Sequence, residues 1–388
     1  MMTIALKMLV GNRGKYFGLV FGVFLSALII TQQSSIFVGL MSRTFGFLTD
    51  TKYPDLWVVD PMAQYVDDFK PMIETKLLQV RGIQGVASAV PMYKGILKAR
   101  LEDGSFQQTN VIGLDDASLT GGPPVMLQGS IEDLRQSDAV IVDEAGNRKR
   151  FARKDPINPN GPKIPLKIGD TLEINDKRAV MVGEARVQRT FQTNPVIYTT
   201  YSRALAYAPR ERRSLTYILV KVKDISKVDE VARKISLITG LKALTNNQFA
   251  DTTVRYFLKN TGIPINFGIA IVLGFLIGAA ITGQTFYSFT VDNIRYFGTL
   301  KAMGASNLLL LKMILLQALV VGLIGYATGV GAASMFFYIS RNSELAFRLL
   351  WQILAITGVA VTLTCMISAA LSLMKVFWLE PAVVFKGE

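Results

Sequence analysis

The sequence predicts an α-helical membrane protein with four transmembrane helices and a large mixed α+β extracytoplasmic domain between helices 1 and 2. Three observations carry this expectation. Half of the 388 residues are apolar, and the mean hydropathy is +0.34. The apolar residues gather into four stretches that approach the roughly 20 residues needed to cross a bilayer. A long polar segment, residues 43–262, separates the first stretch from the second, whereas the last three follow closely on one another.

The first stretch, Tyr16 to about Leu40, reads YFGLVFGVFLSALIITQQSSIFVGL. Lys7, Arg13 and Lys15 ahead of an apolar core also fit a signal peptide. No small-x-small cleavage site follows the core, however, and Ile36 to Met41 resumes the apolar pattern, so residues 16–42 are expected to form an uncleaved span and stalk. Residues 263–290, 308–339 and 349–374 are the other three spans. The connecting segments are a loop at 291–307, a short loop at 340–348 and a tail at 375–388. Lys7, Arg13, Lys15, Arg295, Lys301, Lys375 and Lys386 fall on one side of a four-span arrangement. The positive-inside rule makes that side cytoplasmic, with both termini on it. Arg341 and Arg348 in the 340–348 loop oppose the rule, but they are outvoted.

Residues 43–262 are then extracytoplasmic and long enough for a core of their own. Asp67 to Val80 places Phe69, Met72, Ile73, Leu77 and Val80 on one helical face. Leu56–Val59, Val111–Ile112, Ala179–Gly183 and Thr216–Val222 read as strands. Ser226 with Asp229 resembles a capping box before Val228, Val231, Ile235 and Ile238. Gly121 to Pro165 is rich in Gly, Pro and charge and reads as loops within a subdomain inserted at about 114–215. Asn246 to Asn260 is expected to return to the membrane as a helix.

The composition removes several function classes. The formal charge is +13, and there is no histidine. Residues 43–262 carry 32 basic and 25 acidic side chains, and the remainder carries 10 and 4. Much of the surplus outside the domain flanks apolar runs, where membrane topology explains it, and no basic motif interleaved with aromatics supports nucleic-acid binding. Without histidine there is neither a Ser-His-Asp nor a Cys-His mechanism. The single cysteine, Cys365, lies inside an apolar run, which leaves no disulfide framework and no thiolate metal site. The nearest approach to a phosphate loop, Gly11 to Tyr16 (GNRGKY), has the wrong glycine spacing and lacks the hydroxyl residue. We therefore expect no catalytic residue, no cofactor and no metal on this chain. The adjacent carboxylates Asp67-Asp68, Asp115-Asp116 and Asp143-Glu144 read as solvated loop residues, and Arg148-Lys149-Arg150 and Arg210 to Arg213 as solvated faces.

Within the spans, no ionisable group lies in the apolar middle of the second or fourth, which disfavours an ion-coupled transport path. Lys312 lies near the cytoplasmic end of the third, where it can snorkel. Gln284, Gln317 and Gln352 read as interhelical hydrogen-bond partners. Gly274 with Gly278, and Gly325 with Gly329, give the small-xxx-small spacing that lets helices approach closely, within the chain or between copies. The loop NIRYFGTLKAMGAS, residues 293–306, is the segment most in need of a role. Ile294, Phe297, Leu300 and Met303 recur every third residue and give an apolar stripe on a short helix, with Arg295, Thr299 and Lys301 elsewhere. Gly304 can end that helix before the third span. Two uses fit: an interfacial anchor, or a lever docked on a cytosolic partner.

At these residues the sequence resembles the FtsX-like permeases of the MacB and LolC type. Tyr296-Phe297-Gly298 through Lys301-Ala302-Met303-Gly304-Ala305 is similar to that family's "EIG…RA.GA" stretch. Gly298, Ala302, Gly304 and Ala305 match, Lys301 replaces an arginine, and Tyr296 replaces a glutamate. Ile4 to Leu9 resembles the family's amphipathic entry helix, within residues 1–15. Lys167-Ile168-Gly169-Asp170-Thr171 resembles its "lkiGD", and Glu380-Pro381-Ala382 its C-terminal "dP.eal". Asp55 to Asp60 and RYFGTLKAMGA are nearest to the DevC-like branch.

The resemblance implies a non-catalytic permease subunit of a mechanotransmitting ABC transporter in the bacterial inner membrane, with its large domain periplasmic. ATP and Mg would be bound by a dimeric cytosolic ATPase on a separate chain, seated on a coupling helix formed by residues 294–305. A second copy of the chain, a periplasmic adaptor (membrane fusion protein), an outer-membrane channel and membrane lipids are the other implied partners. The cargo would be amphiphilic, exported or extracted at the periplasmic side. The rival readings are an FtsX-like regulator of an extracytoplasmic partner and, more remotely, a membrane-anchored enzyme.

Overall fold

A computed structural model of the protein describes residues 2–153, 161–341 and 343–377. In chain order the helices are α1 (Met2–Gly11), α2 (Arg13–Thr44), α3 (Gly46–Asp50), α4 (Thr75–Arg81), α5 (Glu144–Lys149), α6 (Tyr201–Tyr207), α7 (Val228–Thr239), α8 (Asn246–Asn260), α9 (Ile263–Asp292), α10 (Ile294–Ala302), α11 (Asn307–Ser340) and α12 (Trp351–Phe377). The strands are β1 (Leu56–Val59), β2 (Val86–Arg100), β3 (Phe106–Leu114), β4 (Val125–Gln128), β5 (Ala139–Asp143), β6 (Thr171–Ile174), β7 (Lys177–Arg186), β8 (Val196–Thr200), β9 (Tyr217–Val222) and β10 (Lys242–Leu244). The chain divides into a helical unit, Met1–Leu40 with Gly262–Glu388, and a mixed unit, Met41–Thr261. Glu380-Pro381-Ala382 and Lys386 lie outside the described residues.

Four helices of the first unit are long and apolar enough to cross a membrane: α2, α9, α11 and α12. The glycine pairs show how they pack. A Cβ placed on Gly274 would come within 2.6 Å of Ile29, and one on Gly278 would collide with Ser26. On α11, a Cβ on Gly325 would come within 2.6 Å of Val23, and one on Gly329 within 2.7 Å of Ala27 and of the Phe24 carbonyl. Both pairs therefore seat the same stretch of α2, residues 22–29, between α9 and α11. These four glycines serve packing within one chain.

The second unit is built from two sheets that share β2. Its first part has the strand order β10-β1-β9-β2, antiparallel throughout. Helices α4 and α7 link β1 to β2 and β9 to β10, the split βαβ arrangement. Alternation along β1 separates the two faces. Leu56 and Val58 face Val80, Val231 and Ile235, whereas Trp57 and Val59 face Phe47 and Phe249. In the second part, β2 pairs with β3, β3 with β8, β8 with β5, β5 with β7, β7 with β6, and β6 again with β2, which closes a ring of six strands. The insertion thus starts before residue 114, because β3 and the distal half of β2 already belong to the ring.

Several local expectations are corrected. In the 67–80 segment the helix starts only at Thr75, and it runs to Arg81. Pro71 supplies no N–H and disfavours helix at Lys70, and Met72 instead bridges to Leu215. Within Gly121 to Pro165 lie β4, β5 and α5, and every residue of β5 is buried. The expected Ser226/Asp229 box does not cap α7; Asp224 instead caps the 3-10 turn Ile225–Lys227 that leads into it, its side chain accepting from the Ser226 N–H.

Candidate functional site

One end of the helical unit gathers the loop helix α10, the N-terminal helix α1 and the facing ends of α2, α9 and α11. The sequence specifies the termini of α10 closely. Gly304 has φ +90°, its N–H bonds the Lys301 carbonyl at 3.0 Å, and the Ala305 N–H bonds the Leu300 carbonyl at 3.0 Å. This pair of bonds is a Schellman motif, which needs a left-handed residue where glycine stands. Two residues later Ser306 caps α11, with its hydroxyl accepting from the Leu309 N–H at 3.3 Å. The GAS triplet therefore stops one helix and starts the next.

The stripe on α10 is narrower than its spacing suggests. Phe297 and Leu300 are buried together with Gly298, and Ile294 is half-buried. Met303 lies past the last helical turn and is 69% exposed, and Ala302 and Tyr296 are exposed too. Because the Schellman turn redirects the chain at Met303, the three-residue period ends at Leu300. Arg295 is exposed, and Lys301 and Ala305 are half-buried. The outward side of α10 and α1 encloses an open cavity of about 750 Å³, lined among others by Ile4, Met8, Asp292, Tyr296, Leu300 and Met303.

Four polar contacts hold this end together. The Lys15 ammonium on α2 donates to the Ser288 carbonyl at 3.1 Å and to its hydroxyl at 2.8 Å, and it forms an ion pair with Asp292 on α9. The Gln317 amide on α11 donates to the Ala5 carbonyl on α1 at 2.7 Å. Ala5 and Leu9, one helical turn apart, are fully buried beside it. The Lys15–Asp292 pair was missed from sequence. The available signal was that Asp292 is the lone carboxylate between residues 263 and 343.

In the mixed unit, a second arrangement concerns the membrane connections. Phe47 on α3 and Phe249 on α8 each lie within about one ring diameter of both Trp57 and Tyr217, with centroids 5.6–6.3 Å apart. Trp57 donates its indole N–H to Asn246, and the Thr253 hydroxyl accepts from the Val66 N–H at 3.1 Å. Lys94 on β2 is 2% exposed; its ammonium sits 3.9 Å from the Phe47 ring centroid and pairs with Asp67 at 2.5 Å. Asp67 is thus partnered. Asp143 is also no solvated loop residue, being 5% exposed as the cap of α5.

These features define a multi-pass membrane protein with a large inserted domain and a short amphipathic helix between its second and third long apolar helices. Residues 17–238 match the family described as MacB-like periplasmic core domain, and residues 268–381 that described as FtsX-like permease C-terminal. The chain belongs to the FtsX-like permeases with a MacB-like periplasmic core domain, and is an FtsX/MacB-type ABC transporter permease. Among solved structures it is similar to the extracellular domain of the noncanonic ABC-type transporter YknZ from Gram-positive bacteria. The identity is 11% and the TM-score 0.34, with 49% of this chain and 98% of that one covered. It is also similar to the periplasmic region of MacB from Actinobacillus actinomycetemcomitans, at 14% identity and TM-score 0.36, covering 55% and 95%. A domain of a permease protein from Porphyromonas gingivalis matches at 14% identity and TM-score 0.29, covering 50% and 87%.

Proposed function

We propose that this permease is a non-catalytic force-transmitting subunit. A cytosolic ATPase docks on the cavity between α1 and α10, and its ATP-driven movement is passed along the long helices to the periplasmic domain, which displaces an amphiphilic cargo. The observation that carries this reading is the two-sidedness of α10. Phe297 and Gly298 are buried on one side, while Tyr296 and Met303 face the open cavity, with Leu300 in its wall. A helix used only as an interfacial anchor has no need of such a cavity. The convergence of α3 and α8 on the Trp57–Tyr217 cluster supports the relay, because α3 follows the first span in the chain and α8 precedes the second.

The test reconstitutes the full chain with its ATPase and measures ATPase binding, ATP hydrolysis and export. Met303→Glu is expected to weaken ATPase binding at least tenfold, since it places a charge on a desolvated contact worth about 1.4 kcal/mol or more. Phe297→Ala is expected to preserve binding but lower export per ATP hydrolysed. Unchanged binding and export in Met303→Glu would defeat the docking assignment.

A further inference from the structure

A second, apolar groove of the helical unit lies away from α10. It runs between α11 and α12 and has a volume of about 670 Å³, well within the roughly 300–1,000 Å³ of small-molecule sites. Its floor is made by small residues: Ala318, Gly322, Ala355 and Gly358. A Cβ on Gly322 would already touch the Cys365 sulfur at 3.2 Å, and one on Gly358 the Tyr326 ring at 3.7 Å. Leu319 and Leu323 form an exposed rim. The groove is closed at one end, where the Tyr326 hydroxyl donates to the Leu354 carbonyl at 3.0 Å. At the other end stands Lys312, exposed, with no carboxylate partner among the described residues.

Dimensions and charge select the occupant. From Lys312 to Tyr326 the groove follows α11 for about 21 Å at 1.5 Å per residue. One leaflet of the hydrocarbon core is about 15 Å deep, and a lysine near a helix end can extend toward the headgroup level. We propose that this groove is a binding site for one anionic phospholipid, with an acyl chain lying on Gly322 and Gly358 and the phosphate at Lys312. Both helices are long and apolar enough to cross the membrane, so the medium that reaches the groove is lipid. Lys312, the cation among the described residues that line the groove, selects an anionic headgroup over a zwitterionic one. The glycines leave a channel that leucine or valine at those positions would fill. The site does not depend on the ATPase-docking reading, and its test needs no ATPase.

The experiment embeds the full chain in nanodiscs of equal phosphatidylglycerol and phosphatidylcholine, transfers it to mild detergent and counts retained lipids by native mass spectrometry. The wild-type chain is expected to keep one phosphatidylglycerol per copy. Lys312→Gln should lower the preference for phosphatidylglycerol about fivefold, the value of one basic residue near an anionic surface. Gly358→Leu should abolish retention. Leu319→Trp, which covers the rim without entering the helix contact, should do the same if Gly358→Leu fails to fold. Equal retention of both lipids in wild type and Lys312→Gln would overturn the headgroup assignment. Retention unchanged by both groove variants would overturn the site. So would efficient cross-linking between copies through Leu319→Cys in a Cys365→Ala background, because a second copy would then cover the groove.

Discussion

The helical unit and the mixed unit solve the same packing problem with different residues. In the mixed unit, Trp57, Tyr198, Tyr217, Phe151 and Phe249 are fully buried among aliphatic side chains, and removal of that apolar area from water drives the fold. In the helical unit the large apolar side chains of α9, such as Ile265, Ile269, Val272 and Leu276, point outward. Its interior combines an apolar cluster that includes Leu19, Phe286, Phe289 and Met313 with close-packed glycines and hydroxyls. Thr31 bonds Thr357 at 3.2 Å, Thr290 bonds Ser372, and Ser372 donates to the Phe286 carbonyl at 3.3 Å. The buried hydroxyls of Ser26, Ser35, Thr282 and Ser368 have no hydrogen-bond partner among the described residues. Lipid is as apolar as leucine, so burying leucine between membrane helices gains little, and close approach with interhelical bonds decides the packing. One unit is sensitive to lost volume, and the other to added volume.

Two substitutions break that comparison from opposite sides. Trp57→Ala is expected to have the larger effect. It leaves a cavity between Phe47, Tyr217 and Phe249 and costs about 3–5 kcal/mol. Hydrogen exchange of the full chain should show β1, β9 and α8 opening, with α11 and α12 unchanged. Exchange rising equally in α11 would mean the two units share one cooperative core. Gly278→Leu is the mirror experiment, with an expected cost of about 1–3 kcal/mol from overpacking against α2. Here α2 and α9 should lose protection while the β-strands keep theirs. A neutral Gly278→Leu would show that α2 does not sit tightly against α9.

The same difference explains what the sequence made legible. Membrane spans depend on composition over long windows, and four such helices were readable from hydropathy alone. The helix expected at Asn246–Asn260 forms there, and a capping box of Thr245 with Gln248, a local signal not used in that expectation, starts it. The split sheet and the six-strand ring were not, since they depend on pairings such as Ala99 with Ile174 that are 75 residues apart. At the candidate site, the helix and its Gly304 stop were legible from local spacing. Lys15 with Asp292 and Gln317 with Ala5 were not, because each joins residues far apart in the chain. Asp143 and Glu144 show the limit most sharply: they are adjacent in sequence but have opposite environments.

Those two carboxylates give the smallest and most local prediction. Asp143 is raised from an ordinary value near 3.8 to about 6, chiefly by burial, although its carboxylate accepts from the Val196 N–H at 2.6 Å and the Gly146 N–H at 2.8 Å. Asp50 is likewise raised to about 6 by burial, opposed by its bond from the Gln188 N–H at 2.7 Å. Glu144 is lowered, first by the hydrogen bond from Arg186 at 2.9 Å. For a carboxyl raised on folding, the native state keeps a proton that the unfolded chain has released, so stability falls as pH rises from about 4 through about 6 and levels off above it. Glu144 acts in the opposite sense: its contribution is present above its unfolded value and is lost as pH falls through the lowered one. Between about pH 5 and pH 7 the raised pair therefore dominates, and Asp143 alone should cost about 1 kcal/mol across that interval. Hydrogen exchange of the full chain, corrected for the intrinsic rate, should show β5 and β8 losing protection over this range. Helices α11 and α12 contain no carboxylate and should stay level. Asp143→Asn should flatten the slope while lowering protection at both ends, because an amide can accept only one of the two N–H bonds that the carboxylate accepts. A slope that survives in Asp143→Asn would shift the titration to Asp50, which an Asp50→Asn variant reads directly.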